Sequence, residues 1–197
     1  MDKLPSEKEA GRLLEEAHAM NPGPWREHSA LVARCAERIA ARCPGLDPEK
    51  AYVLGLLHDI GRRAGRCNLR HVIEGYRFLT ALGYPGAAKI AVTHSFSVKG
   101  MDMYMGVIDV PEEDYREIEA LVRGFEYDDY DRLIQLCDSL GMADGTIDLT
   151  TRMDEIEARY GFYPAAKREM HHRLKAYFDG LAGTDLYPVL RTGEFHP

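Results

Sequence analysis

The stretch YVLGLLHDIGRRAGRCNLRHV, residues 52–72, joins an apolar run to a His-Asp pair and then to four arginines. Leu54 lies four residues before His58, so on a helix the two side chains share the buried face. A lone histidine there is more often a hydrogen-bonded core residue than a ligand. Because burying an isolated polar group is costly, ionisable residues elsewhere in the chain are expected to share a site with His58 and Asp59.

Apolar residues recur at helical spacing along most of the chain. Ser6 and Asp47 are suited to cap helices, and Pro48 suits a first helical position. No strand pattern persists and no repeat is present. The patterns predict an all-α, single-domain helical bundle over residues 1–197, with helices at about 6–20, 24–42, 48–60, 69–82, 85–95, 112–123, 128–142, 150–159 and 164–182.

Four other predicted helices each place one ionisable residue on their inward face, three or four positions from apolar residues of the same helix. A metal cluster is an economical shared partner for such residues, because neutral imidazoles and carboxylates are good ligands for first-row divalent metals. These four residues are His28, His71, His94 and Asp138.

The order His28, His58-Asp59, Asp138 resembles the H…HD…D pattern of the HD-domain superfamily of metal-dependent phosphohydrolases, and the local sequence LLHDIGR resembles it too. The resemblance covers about residues 28–142. It implies an HD-type helical bundle with a core at about 22–142. The N-terminal helix 6–20 and the C-terminal helices 150–182 are then expected to pack on that core.

The same resemblance implies that His28, His58, Asp59 and Asp138 hold one metal ion. His71 and His94 resemble the extra histidines of the two-metal subgroup, in which Asp59 would bridge to a second ion. The alternative is that both histidines only hydrogen-bond to the backbone or to a substrate. One or two divalent transition-metal ions are therefore expected, with iron or manganese favoured and zinc, nickel or cobalt as alternatives.

The sequence departs from two groups of HD-domain proteins in ways that narrow the range of expected substrates. The tripeptide Gly83–Pro85 reads GYP, as in the HD-GYP phosphodiesterases that cleave cyclic di-GMP. Here it precedes His94 and the family's His-His-Glu element is missing, so it is interpreted as a turn that ends a helix. Only eleven residues separate Asp59 from His71, fewer than is usual in two-metal HD proteins that cleave diadenosine tetraphosphate. This spacing speaks against that substrate.

The positive charges after the His-Asp pair are interpreted as a phosphate grip, because arginine binds phosphate in a bidentate manner. The family often has a basic residue directly after HDIG, which here is Arg62. We therefore assign catalytic roles to Asp59 and Arg62 and expect substrate contacts from Arg62, Arg66, Arg70 and Lys99. The alternative is that most of these are solvated surface charges.

The remaining histidines and aspartates are left out of the predicted site. His171 and His172 lie in the basic stretch KREMHHRLK, which is typical of an exposed helix face. The other residues in this group lie near the termini or in a turn-like stretch, and they are His18, His196, Asp144 and Asp148. The stretch at residues 96–111 is long for a connection and is either a lid or a loop packed on the core.

These features predict a hydrolase for a phosphoester or phosphoanhydride of a small, nucleotide-like molecule, using a metal-activated hydroxide. A second possibility is an HD-fold di-iron oxygenase, which resembles inositol oxygenase and uses the same four-His, two-Asp set. A third is a non-catalytic sensor that binds a nucleotide.

Composition sets the remaining expectations. The net charge of −7 argues against long nucleic acid as a partner. The start of the sequence does not resemble a signal peptide, and no run approaches the ~20 apolar residues of a membrane span, so a cytoplasmic protein without a membrane partner is expected. The four cysteines form no CxxC pair and are expected to be free thiols. The sequence is also compatible with a homodimer.

Overall fold

The computed structural model describes residues 3–143 and 145–191, so Asp144 and His196 lie outside the described residues. The regular secondary structure of the described part is helical apart from a two-stranded antiparallel hairpin, β1 (Gly141–Met142) and β2 (Gly145–Thr146). The prediction of an all-α helical bundle is confirmed. The helices are α1 (Glu7–Met20), α2 (Trp25–Ala40), α3 (Pro48–Leu57), α4 (Arg70–Ala81), α5 (Pro85–Thr93), α6 (Glu112–Gly124), α7 (Asp129–Leu140), α8 (Leu149–Tyr160), α9 (Ala165–Ala182) and α10 (Leu186–Arg191).

The predicted caps occur where the sequence places them. The Ser6 hydroxyl accepts a hydrogen bond from the backbone N–H of Glu9 at the start of α1. The Asp47 carboxylate accepts from the backbone N–H groups of Glu49 and Lys50 at the start of α3. Asp148, which the sequence indicated as a turn residue, caps α8 in the same way. Side-chain acceptors at these positions satisfy N–H groups that the first helical turn leaves without partners.

Helix α3 ends earlier than predicted. It stops at Leu57 rather than at about residue 60, and a 3-10 turn follows over Ile60–Ala64. The tighter turn brings the backbone at Gly61 directly against α4: a Cβ atom there would lie only 1.9 Å from the carbonyl oxygen of His71. Only glycine permits this approach, and it brings the end of α3 next to the start of α4.

The main apolar core contains buried residues from both the central and the terminal helices. Leu31 of α2 and Leu57 of α3 lie in the same cluster as Leu14 of α1 and Phe178 of α9. A second cluster surrounds Phe96, between α4, α5 and α6. Each helix therefore has one face fixed by packing, which determines where its polar residues point.

The 96–111 stretch is tethered to the body of the protein. It contains a short 3-10 turn over Met101–Met103. The Asp109 carboxylate accepts hydrogen bonds from the backbone N–H groups of Asn68 and Arg70, and so satisfies the N-terminus of α4. These contacts favour the packed loop over the lid.

All four cysteines are free, as expected; Cys35, Cys43 and Cys137 are buried and Cys67 is half-buried. Among the described helices, none is both long enough and apolar enough to cross a membrane.

Candidate metal centre

His28, His58 and Asp138 come together from three different helices. His28 lies in the first turn of α2, His58 directly follows α3, and Asp138 lies near the end of α7. The Asp138 Oδ1 atom is 2.9 Å from His28 Nε2 and 3.6 Å from His58 Nε2. One candidate ligand atom from each residue lies within 4.8 Å of the other two, so the three residues could hold one ion.

Asp59, His71 and His94 form a second, fully buried group. The Asp59 Oδ1 atom is 3.3 Å from His71 Nε2 and 3.6 Å from His94 Nε2. The two groups adjoin, because His58 and Asp59 are consecutive and the rings of His58 and His94 lie 5.0 Å apart, centroid to centroid. The structure therefore brings the six predicted ligands into two neighbouring trios, rather than leaving His71 and His94 with backbone contacts alone.

Backbone carbonyls hold three of the histidine rings in position. His58 Nδ1 lies 2.7 Å from the carbonyl oxygen of Gly55, and His94 Nδ1 lies 3.1 Å from that of Ile90. His71 Nδ1 contacts the carbonyl oxygen of Asn68, three residues earlier in the chain. A ring that donates its Nδ1–H to a carbonyl presents a lone pair on Nε2, which is the tautomer that binds a metal.

The atoms that face one another in the two trios fit a cation. Among the buried side-chain atoms without a hydrogen-bond partner are His58 Nε2 and Asp59 Oδ1, both inside the trios. His71 Nε2 and His94 Nε2 lie only 3.1 Å apart, although both rings donate from Nδ1. Two lone pairs at that distance repel each other unless a positive charge lies between them. The donor set of imidazole nitrogen and carboxylate oxygen suits a first-row divalent metal.

The electrostatics of the first trio also favour a cation. Burial opposes the ionisation of Asp138, but the hydrogen bond with His28 and the nearby His58 ring lower the pKa of this carboxyl well below its usual range. Burial by itself would lower the pKa of His58, yet the neighbouring carboxylates of Asp138 and Asp59 raise it. The ionised carboxylates thus attract positive charge to this position, which a bound metal ion would supply.

The histidines of the second trio are neutral near pH 7. Burial and the charge of Arg62 lower the pKa of His71 to about 4. Burial and the neighbouring His58 lower the pKa of His94 to about 3. Neutral imidazole is the form that coordinates metal, so these ligands need no deprotonation at physiological pH.

Arg62 contacts a metal-ligand candidate directly. Its Nε donates to Asp59 Oδ2, on the opposite side of the carboxylate from His71. Burial opposes the ionisation of Asp59, but the charge of Arg62 together with the neighbouring histidines lowers the pKa of this carboxyl. Arg62 therefore fixes the orientation of Asp59, in addition to lining the pocket described below.

Both trios open into one cavity of about 510 Å³. Of the four residues predicted to contact substrate, Arg62 lines this cavity. Arg66 is exposed, and Arg70 donates to the carbonyl oxygen of Ala64. Lys99 is exposed and donates to the carbonyl oxygen of Phe125, away from the cavity. The arginine-rich stretch thus contributes one cation to the pocket, because the turn after Arg62 directs the others outward.

The remaining cationic side chains of the cavity come from α8 and α9, where the sequence analysis predicted none. The prediction that His171 lies on an exposed helix face was wrong: it is 4% exposed and lines the cavity, whereas His172 is exposed as predicted. A signal was present in the sequence, because Lys167, His171, Leu174 and Phe178 follow helical spacing and form the buried stripe of α9. The missed cavity residues include Arg152, Arg159, Tyr163, Lys167 and His171.

His171 is held as a neutral ring beside the first trio. Its ring nitrogens lie 3.3 Å from the Ser139 hydroxyl, and Nδ1 lies 3.2 Å from the Tyr163 hydroxyl. Burial and the charge of Lys167 lower the pKa of His171 to about 3. His171 therefore supplies hydrogen-bonding capacity, and no charge, to the wall next to Asp138.

The family model for the HD domain matches residues 25–143, more than half of the chain. Neither the curated proteins nor the solved structures that were searched include a match to the chain. The matched range contains all six candidate ligands and ends before α8. The chain belongs to the HD-domain family, a superfamily of metal-dependent, hydrolase-type proteins.

Proposed function

We propose that the protein is a metal-dependent phosphohydrolase that cleaves a phosphoester or phosphoanhydride in a small, nucleotide-like molecule. The observation that carries the proposal is that two His/Asp trios share one cavity with the cationic side chains of Arg62, Arg152, Arg159 and Lys167. Metal ligands and phosphate-binding cations are the two requirements of metal-assisted phosphoryl transfer.

The six ligands would hold two ions, with His28, His58 and Asp138 at one and Asp59, His71 and His94 at the other. We propose iron or manganese as the ions, since mixed imidazole and carboxylate sets suit both. A bound divalent ion would supply a water of lowered pKa and a positive charge for a phosphoryl oxygen.

Backbone and side-chain groups of the protein would position the metal ligands and bind the substrate. The backbone carbonyls of Gly55, Asn68 and Ile90 fix the histidine tautomers. Arg62 orients Asp59. The cations of α8 and α9 would bind phosphate oxygens, and the more buried of them, Arg152 and Lys167, would stabilise the negative charge that develops in the transition state.

Aromatic side chains support a nucleotide-like substrate. Tyr160 lines the cavity and is 39% exposed, so one face of its ring is available to a ligand. Tyr104 and Trp25 also line the cavity. A planar base can stack on such rings, while its phosphates reach the more buried cations, Arg62 and Lys167.

The test is a phosphate-release screen with protein reconstituted separately with manganese and with ferrous iron. Nucleoside mono-, di- and triphosphates, dinucleoside polyphosphates and sugar phosphates would be offered. We expect release from at least one class and its loss after chelation or in Asp59→Asn. Oxygen consumption without phosphate release would overturn the proposal in favour of the oxygenase, and nucleotide binding without turnover would favour the sensor.

A further inference from the structure

Lys167 is a buried lysine that makes no hydrogen bond to a group of opposite charge among residues 3–143 and 145–191. The residue is 8% exposed, and its Nζ donates to the carbonyl oxygens of Ser95 (3.2 Å) and Met103 (3.1 Å). Both partners are neutral. Burying an ammonium group costs several kcal/mol unless a counter-charge compensates for it, so the position needs an explanation beyond packing.

Two other lysines of the same chain show the usual arrangement. Lys89 pairs with the carboxylate of Asp131, and Lys175 lies 2.7 Å from Asp179 on α9 itself. Both are half-buried, less so than Lys167. Among the described residues, the most buried of these three lysines therefore has only carbonyl partners.

The location of Lys167 ties it to the metal centre. Lys167 contacts the carbonyl oxygen of Ser95. The hydroxyl of the same serine lies 3.0 Å from His94 Nε2 in the second trio. Burial lowers the pKa of Lys167 to about 8, and the charge of Asp138 in the first trio partly offsets this. Lys167 also lines the cavity onto which both trios open.

An ammonium group has three N–H donors, and the two carbonyls use two of them. We propose that Lys167 is a substrate-binding residue whose remaining donor contacts a phosphoryl oxygen of the substrate beside the two metal trios. This inference rests on the proposed function and deepens it, since it assigns the anionic group of the substrate to a position between the trios and α9. The bound anion supplies a counter-charge in direct contact with Lys167, whereas the hydrogen-bond partners of Lys167 among the described residues are neutral carbonyls.

The main alternative is that Lys167 only fastens the segment from Ser95 to Met103 to α9. Lys167→Gln separates the two roles, because a glutamine amide can still donate to two carbonyls but carries no charge. Arg173→Gln is the matched control, since it removes one positive charge from the exposed side of the same helix. The probe is inorganic phosphate, titrated calorimetrically into the manganese-reconstituted full chain.

We expect wild type to bind phosphate and Lys167→Gln to bind it about ten- to a hundredfold more weakly, the effect of losing one charge-assisted hydrogen bond. Manganese stoichiometry should not change, and Arg173→Gln should bind within about twofold of wild type. Wild-type affinity in Lys167→Gln would show that the lysine is only a structural tie. Wild type that binds no phosphate would overturn the proposed function and this inference with it.

A second measurement uses wild type alone and does not depend on the variant folding. Acetylation of lysines by acetic anhydride would be followed by mass spectrometry, with and without inorganic phosphate, in the manganese-loaded protein. Phosphate should slow the modification of Lys167 several-fold and leave that of Lys175 unchanged. Equal rates at Lys167 with and without phosphate, in protein shown to bind phosphate, would overturn the inference.

Discussion

The two walls of the cavity differ in origin and in charge. The metal-ligand wall lies within the HD-domain match at residues 25–143, and its charged side chains are dominated by the carboxylates of Asp59 and Asp138. The second wall comes from α8 and α9, beyond that match, and carries the positive side chains of Arg152, Arg159 and Lys167. The pocket is therefore suited to cations on one side and to an anion on the other.

The two walls differ in what they determine: one determines the class of chemistry and the other the substrate preference. The metal-ligand wall is what the chain has in common with its family, and it sets the class of chemistry. The α8–α9 wall lies outside the matched range, so a substrate preference particular to this chain would be encoded there. Variants in the first wall should act on metal binding, and variants in the second on substrate binding.

Asp59→Ala is expected to have the largest effect on the metal-ligand wall. The carboxylate adjoins both trios, so its loss should remove at least one of two ions and reduce turnover to the level of chelated wild type. The helical fold should persist, since Leu54 and Leu57 keep the end of α3 in the core. Metal analysis, circular dichroism and phosphate release would check this. Near-wild-type turnover with full metal content would exclude the role assigned to Asp59.

Arg62→Ala tests whether the arginine acts on the ligand or on the substrate. Because Arg62 orients Asp59 through Oδ2, its loss should weaken metal affinity about ten- to a hundredfold, as for other groups that support a metal ligand. Metal titration would measure this. Arg63→Ala is the control, since that guanidinium lies over the ring of Phe78 instead. Unchanged metal affinity with weaker phosphate binding would assign Arg62 to the substrate side.

His171→Gln tests the buried neutral histidine of the α8–α9 wall through pH. The folded protein holds the pKa of His171 at about 3, below the ordinary value of 6.5, so the unfolded chain binds the extra proton first as pH falls. Wild type should therefore lose stability from about pH 6.5 downward. Between pH 7 and pH 5 its free energy of unfolding should fall by about 2 kcal/mol more than that of the variant.

Denaturant titration of the chelated proteins at both pH values would check the His171 prediction. Chelation removes the contribution of metal binding, and the other histidines are common to both proteins. Parallel pH dependence in wild type and variant would mean that His171 is not held neutral in the folded state.

Arg159→Ala should have the smallest effect, on the α8–α9 wall alone. Arg159 lines the cavity from an exposed position, where solvent screens its charge. We expect KM for the best substrate of the phosphate-release screen to rise about two- to fivefold with kcat unchanged, as for an interaction of equal strength in ground and transition states. Steady-state kinetics beside Arg173→Ala would measure it. A fall in kcat would place Arg159 at the reacting group.

The sequence by itself indicated nine of the ten α-helices in the described residues and the set of candidate ligands. Capping residues such as Ser6 and Asp47, together with apolar spacing, act within one or two turns, so they can be read directly from neighbouring letters. The six candidate ligands were predicted from histidine and aspartate residues on inward helix faces, which are expensive to bury without a common partner, and from the resemblance to the HD pattern. The structure brings all six together.

Only the tertiary structure decided which cations reach the pocket. Arg66, Arg70 and Lys99 are close to the ligands in sequence, but local turns direct them elsewhere. Lys167 contacts Ser95 across 72 positions of the chain. That contact exists because α9 packs its buried stripe against the core. The local sequence around a long polar side chain does not show which distant residue this packing brings next to it.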